Sequence, residues 1–135
     1  MKLVMSDIVS INGALESIIK KSQTEAVPGF IAIKFARLAK DVTPLFTDFN
    51  EERQKLIQRM GETSSDQPDT VIVKPENVPA FNEEYSKLLA VEVELMPSVS
   101  FKESDFEALK MDVIEAYALL PFIKEENGSK NEAGV

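Results

Sequence analysis

The chain has 135 residues, of which 44% are hydrophobic and 28% charged, and its formal net charge is −8. That length suits one domain with a core of its own. There is no histidine, cysteine or tryptophan, which removes the commonest general base and zinc ligand, every disulfide and thiolate metal site, and one frequent interface anchor.

No apolar run approaches the roughly 18 residues of a membrane span. The first residues lack the apolar core of a signal peptide, so a soluble protein in a reducing cytosol is expected. Charge is uneven. Residues 1–75 carry ten basic and ten acidic side chains, whereas residues 76–115 carry three basic and ten acidic. Direct binding to a phosphate backbone is not expected from such a chain. An acidic second half suits a basic protein partner or solubility.

Lys2-Leu3-Val4 reads as a minor strand at the start. Ser6 is a good N-cap, with Asp7 favourably placed in the first turn. Ile8, Ile11, Leu15 and Ile18 repeat at steps of three and four, and Lys20 and Lys21 suit the C-terminal end of a helix over residues 6–22. Gly13 inside it costs about 1 kcal/mol relative to alanine, which points to a close helix–helix approach.

The longest signal runs from Pro28 to Gly61. Ile31, Phe35, Leu38, Val42, Leu45 and Phe49 alternate at steps of four and three, and Leu56 continues the phase. This is the seam of a long helix packed along another. The short link before Pro28 makes the two helices an antiparallel hairpin spanning residues 6–61. Pro44 interrupts the backbone ladder and favours a kink over a break, because the seam keeps its phase across it. Gly61 is a plausible C-cap.

Residues 62–69 are polar and turn-rich. Thr70-Val71-Ile72-Val73 reads as a strand, residues 79–90 as a helix with Phe81, Tyr85, Leu88 and Leu89 on one face, and Val91-Glu92-Val93-Glu94-Leu95 as a half-exposed strand. The two strands are expected to pair with each other. A short turn at residues 104–109 and a last helix, capped by Asp112 and carrying Val113, Ile114, Tyr117, Leu119 and Leu120, complete an ordered unit over residues 1–123. Residues 124–135 read as a disordered tail. The fold class is thus mostly α (α+β): a long antiparallel hairpin with a kinked second helix, a small two-stranded sheet and C-terminal helices.

Little here carries chemistry. Glu51-Glu52 and Glu83-Glu84 are sequence neighbours, which do not face each other on a helix. Asp66 and Asp69 lie in a loop whose spacing departs from a calcium-binding loop. There is no phosphate loop, dinucleotide glycine pattern or nucleophile-elbow serine. The chain reads as a non-enzyme, with no catalytic residue, metal or cofactor. Lys34, Arg37 and Lys40 form a basic stripe at steps of three, read as lying opposite the apolar seam.

One ordered series of motifs supports a resemblance. It comprises Lys34-Phe35-Ala36-Arg37-Leu38-Ala39-Lys40, Phe49-Asn50-Glu51-Glu52-Arg53-Gln54-Lys55-Leu56-Ile57, Phe81-Asn82-Glu83-Glu84, Val91-Glu92-Val93-Glu94-Leu95 and Ala118-Leu119-Leu120-Pro121-Phe122-Ile123. In these the chain resembles small phage- and prophage-encoded proteins of uncharacterised function. The resemblance implies a viral context, in the cytoplasm of an infected host cell or in the virion, and a role in virion assembly or in binding a host factor. It brings no catalytic residues.

Two contact surfaces are expected for such an interaction module. The first helix reaches only half of the long one, which leaves Phe46, Phe49, Leu56, Ile57 and Met60 to be covered by the chain's own second half, by another copy in a homo-oligomer, or by a phage or host protein. Alternatively, Glu83, Glu84, Glu92, Glu94, Glu103, Asp105 and Glu107, within residues 76–115, form an acidic surface that imitates a nucleic acid and inhibits a host protein.

Overall fold

The computed structural model describes residues 1–63, 70–107 and 109–124. The order of elements is β1 (Lys2–Val4), α1 (Met5–Ser22), α2 (Gly29–Met60), β2 (Gly61–Thr63), β3 (Val71–Val73), α3 (Val78–Leu89), β4 (Glu92–Glu94) and α4 (Val113–Leu119). Three short 3-10 turns, Pro75–Asn77, Glu103–Phe106 and Leu120–Phe122, join or extend them.

α1 begins one residue before the expected cap, and Ser6 lies inside it. The carboxylate of Asp7 does the capping instead: it accepts the Val4 N–H at 3.0 Å and so satisfies one of the N–H groups that a helix start leaves unpaired. Every apolar position of the α1 seam is buried, and so are Ile31, Phe35, Leu38 and Val42 from the first half of α2. The two helices zip together over that length as a hairpin. Gly13 plays no part in the approach. It is exposed, and a methyl group built on it meets nothing within 4 Å.

α2 is continuous through Pro44 and about 48 Å long at ~1.5 Å per residue. Pro44 is exposed, so the carbonyl it leaves unpaired one turn back lies on the side of the helix that meets water. The adjacent Thr43 hydroxyl donates to the Ala39 carbonyl at 2.7 Å. At the far end, the Met60 carbonyl accepts from both the Lys74 N–H (3.2 Å) and the Asn77 side-chain amide (3.0 Å). Gly61 then leaves the helix in extended conformation (φ −108°, ψ 176°) as the first residue of β2.

The strands pair differently from the sequence expectation. β3 runs antiparallel to β2, with Gly61 opposite Val73 and Thr63 opposite Val71. β4 runs antiparallel to β1, with Lys2 opposite Glu94 and Val4 opposite Glu92. Among the described residues there are therefore two small two-stranded sheets, and residues 71–73 and 92–94 belong to different ones. Each three-residue strand finds an edge at an end of the hairpin rather than the other's. Gly61 is needed at its position for space, not for backbone freedom. A Cβ there lies 2.5 Å from the Ile57 carbonyl oxygen, 2.6 Å from Val71 Cγ1 and 2.7 Å from the Ile72 carbonyl oxygen.

These two glycines give an opposite pair of expected results. Gly13→Ala raises the unfolding free energy by about 0.5–1 kcal/mol, because it adds helix propensity at an open site. Gly61→Ala lowers it by about 1–3 kcal/mol, because two of the three blocked contacts are backbone atoms that cannot yield. Urea denaturation of the two variants checks both signs.

The remaining segment returns to the hairpin. The Asp41 carboxylate accepts from the Ser98 N–H and hydroxyl at 2.8 and 2.7 Å, which pins the chain after β4 to the middle of α2. Phe101 donates its N–H to the Phe122 carbonyl and accepts from Lys124, which joins the two ends of the last segment in a single parallel bridge to Ile123. Leu95, Phe101, Leu119 and Phe122 thereby enter the same buried cluster as the α1 and α2 seams. Residues 64–69 and 125–135, which include Asp66, Asp69 and all but Lys124 of the expected tail, lie outside the described residues.

Candidate interaction surface

The face expected to await a partner, the second half of α2, is partly covered by the chain itself. α3 packs along it. The rings of Phe49 and Tyr85 stand 6.1 Å apart, and Phe81 stacks on Tyr85 at 5.7 Å. Phe49 and Leu56 are buried, while Phe46, Ile57 and Met60 are less so. The chain's own second half thus supplies part of the cover, and a groove of about 260 Å³, lined by Leu56, Leu88 and Val91 among charged side chains, remains between α2 and α3.

The charged candidates also divide. A step of three along a helix drifts by about 60°, so Lys34 falls at the edge of the seam beside Phe35 while Lys40 lies nearly opposite. Lys34 accordingly turns inward, donates to Asp105 Oδ2 at 2.8 Å and lies 5.7 Å from the centre of the Phe101 ring. Arg37 and Lys40 stay exposed. Asp105 drops out of the acidic surface for the same reason: it is buried and also accepts the Lys102 N–H at 2.9 Å. Burial works against its charge, but the Lys34 ammonium and the Lys102 N–H outweigh it and hold the carboxyl below its ordinary range. Glu83 and Glu84 both lie near Lys87, at 3.7 and 3.6 Å. Glu92, Glu94, Glu103 and Glu107 are exposed. Among the described residues no three acidic side chains gather closely enough to hold a metal ion.

The open apolar surface lies instead on α4. Val113, Ile114, Tyr117 and Leu120 are 83%, 81%, 76% and 55% exposed. At ~100° per residue Val113, Ile114 and Tyr117 share the outer side of the helix, with Leu120 in the 3-10 turn that extends it, while Glu115 and Leu119, both buried, face inward. The orientation is fixed at several points. Asp112 caps the helix by accepting the Glu115 N–H at 2.7 Å, a bond that holds the Asp112 carboxyl below its ordinary value. The Lys21 ammonium at the end of α1 meets Glu115 Oε1 at 2.5 Å and the Lys110 carbonyl at 2.8 Å. The hydrogen bond to Glu115 raises the Lys21 amine above its ordinary value against the effect of burial. A helix tied down this way cannot roll to hide its outer side chains.

Beside that face runs a groove of about 300 Å³, walled by Leu3, Ile11, Ala118, Leu120 and Pro121, with Asp7, Ser10 and Tyr117 at its polar points. A smaller exposed apolar pair, Phe30 and Ile33, sits on the first turns of α2. The sequence places the α4 residues on a helix but does not mark them as a surface. The available signal is that this helix is apolar nearly all the way round, more than one short element can bury.

The chain matches no family model, no curated protein and no solved structure. Among the described residues no helix is long and apolar enough to cross a membrane.

Proposed function

We propose that this chain is a non-enzymatic protein-interaction module whose contact surface is the outer face of α4 and the adjoining groove. The observation that carries the reading is the exposure of four large apolar side chains on a helix and the turn that extends it, whose other side is locked to the core. Contiguous apolar surface of this kind on a folded protein marks an interaction site. The setting we assign is a phage-encoded protein, in the infected cell or the virion, acting in virion assembly or on a host factor. The ordered motif series from Lys34 to Ile123 supports that setting.

Affinity capture from host lysate, quantified by mass spectrometry, tests the reading. Ile114→Lys should leave the fold intact, since the side chain already meets water, and should lower recovery of the specific partner by at least about tenfold, the mark of a central contact residue. Phe30→Lys, also an exposed apolar change but elsewhere, should recover it as the native chain does. Equal recovery by all three proteins would remove the α4 face from the function. The second reading, an acidic nucleic-acid mimic, rests on Glu92, Glu94, Glu103 and Glu107, which all face solvent. It requires recovery to fall on charge reversal of those four and to be indifferent to Ile114.

A further inference from the structure

The interaction reading leaves the occupant of the α4 face open. Building on that reading, we propose that the occupant is a second copy of the chain, docked about a two-fold axis that passes near Tyr117.

Three features of the face favour this occupant. The first is shape. The most exposed of these side chains, Val113 and Ile114, stand at one end of α4, and the groove lies at the other, beside Tyr117, Ala118, Leu120 and Pro121. Knob and hole are thus separated by the length of one short helix, about 10 Å at ~1.5 Å per residue. Antiparallel apposition of two α4 helices about Tyr117 brings each knob to the other copy's hole. A closed two-fold contact has to be self-complementary in just this way.

The second is charge. The segments that build the face, residues 1–11 and 109–124, carry three basic residues (Lys2, Lys110, Lys124) and three acidic ones (Asp7, Asp112, Glu115), although the whole chain is at −8. Glu115 is buried against Lys21. The face therefore offers nothing to attract a strongly charged partner such as a nucleic acid or a polybasic peptide. Two acidic molecules can meet there without a concentrated local repulsion.

The third is area. Tyr117 and the three aliphatic side chains expose on the order of 400–500 Å², and the groove walls add to this. The sum per copy approaches the low end of what specific interfaces bury, roughly 600–800 Å² per partner. That size suits a weak, reversible dimer rather than an obligate one.

Sedimentation equilibrium of the full chain over a wide concentration range is the test. The expected result is a monomer–dimer equilibrium that holds or tightens as salt is raised, because screening relieves the repulsion between two chains of net −8. Ile114→Lys should weaken it at least about tenfold with an unchanged circular dichroism spectrum. The native chain has no cysteine, so a single introduced thiol reports position. Tyr117→Cys, near the axis, should form an interchain disulfide on mild oxidation, whereas Phe30→Cys should not. A chain that stays monomeric at every concentration overturns the proposal. So does a dimer that Ile114→Lys leaves unchanged, or one that dissociates as salt is raised. A monomer whose lysate partner is still lost with Ile114→Lys sinks the second copy alone and leaves the interaction reading standing.

Discussion

Phe101→Ala lowers the unfolding free energy by about 3–5 kcal/mol, the largest single loss expected in this chain. Phe101 is fully buried. Its ring lies 4.8 Å from that of Phe35 on α2 and 5.4 Å from that of Phe106, and Phe106 closes a triangle to Phe35 at 6.1 Å. Truncation therefore removes two aromatic contacts and opens a cavity between α2 and the last segment. The surrounding groups cannot collapse into it, because the Phe101 backbone is held on both sides by Phe122 and Lys124. Domains of this size have a total stability of roughly 5–15 kcal/mol, so the variant sits near its limit. Chemical denaturation with circular dichroism measures the loss. Phe101→Leu, which refills most of the volume, should recover more than half of it. A loss below about 1 kcal/mol for the alanine variant contradicts the placement of Phe101 at the centre of the core.

The second large effect comes from the same corner. Lys34→Met removes the ammonium that neutralises buried Asp105 and lowers stability near neutral pH by about 2–4 kcal/mol, in the range for stranding one member of a buried ion pair. The sign of the pH dependence follows from Asp105. Its folded-state carboxyl titrates below its ordinary value, so its contribution is present above the unfolded value, near 3.8, and fades as pH falls through the folded one. In Lys34→Met the remaining influence on Asp105 is mainly burial, which favours the protonated acid. The gap between variant and native protein should therefore be widest near neutrality and narrow as the pH falls below 3.8 and through the folded-state value, where the native pair is itself being lost. Urea midpoints for both proteins across that range measure the gap. A gap that stays constant with pH would mean that Lys34 acts through its contact with Phe101 rather than through Asp105.

Where the sequence is legible, a local rule and the global packing agree. The seam from Ile31 to Leu56 marks α2, and its burial is what the three/four spacing demands. Asp112 announces α4 by residue type alone and caps it. The mostly helical class follows from such signals. The strand partners do not. Three-residue strands carry no register information, and β1 and β4 meet across some ninety residues, a juxtaposition set by how the helices between them pack. Lys34 escapes the stripe pattern because steps of three drift around a helix, and Asp105 escapes the acidic one because an acidic residue in a charged stretch looks like surface until its partner is known. Gly13 suggests a contact because glycine in a helix usually needs a reason, and here the structure supplies none.

The candidate surface illustrates the same boundary. Phe46, Phe49, Leu56, Ile57 and Met60 are visible in the sequence as a half-seam in need of cover. Which element covers it depends on the return path of α3, and no local pattern specifies that path. Val113, Ile114, Tyr117 and Leu120 are equally visible as apolar. Their exposure is a consequence of Glu115 and Lys21 fixing the other side of the helix to α1, a contact between positions 94 residues apart.

Hydrogen–deuterium exchange read by mass spectrometry, at low and at high protein concentration, bears most directly on the claim that the α4 face is where this chain makes contact. Amides in residues 113–121 and in the facing start of the chain, residues 3–11, should gain protection as concentration rises. Residues 45–60 and 81–89, already packed against each other, should not change. Protection that grows along residues 45–60 instead, with α4 unaffected, would return the contact to the second half of α2 and contradict the account.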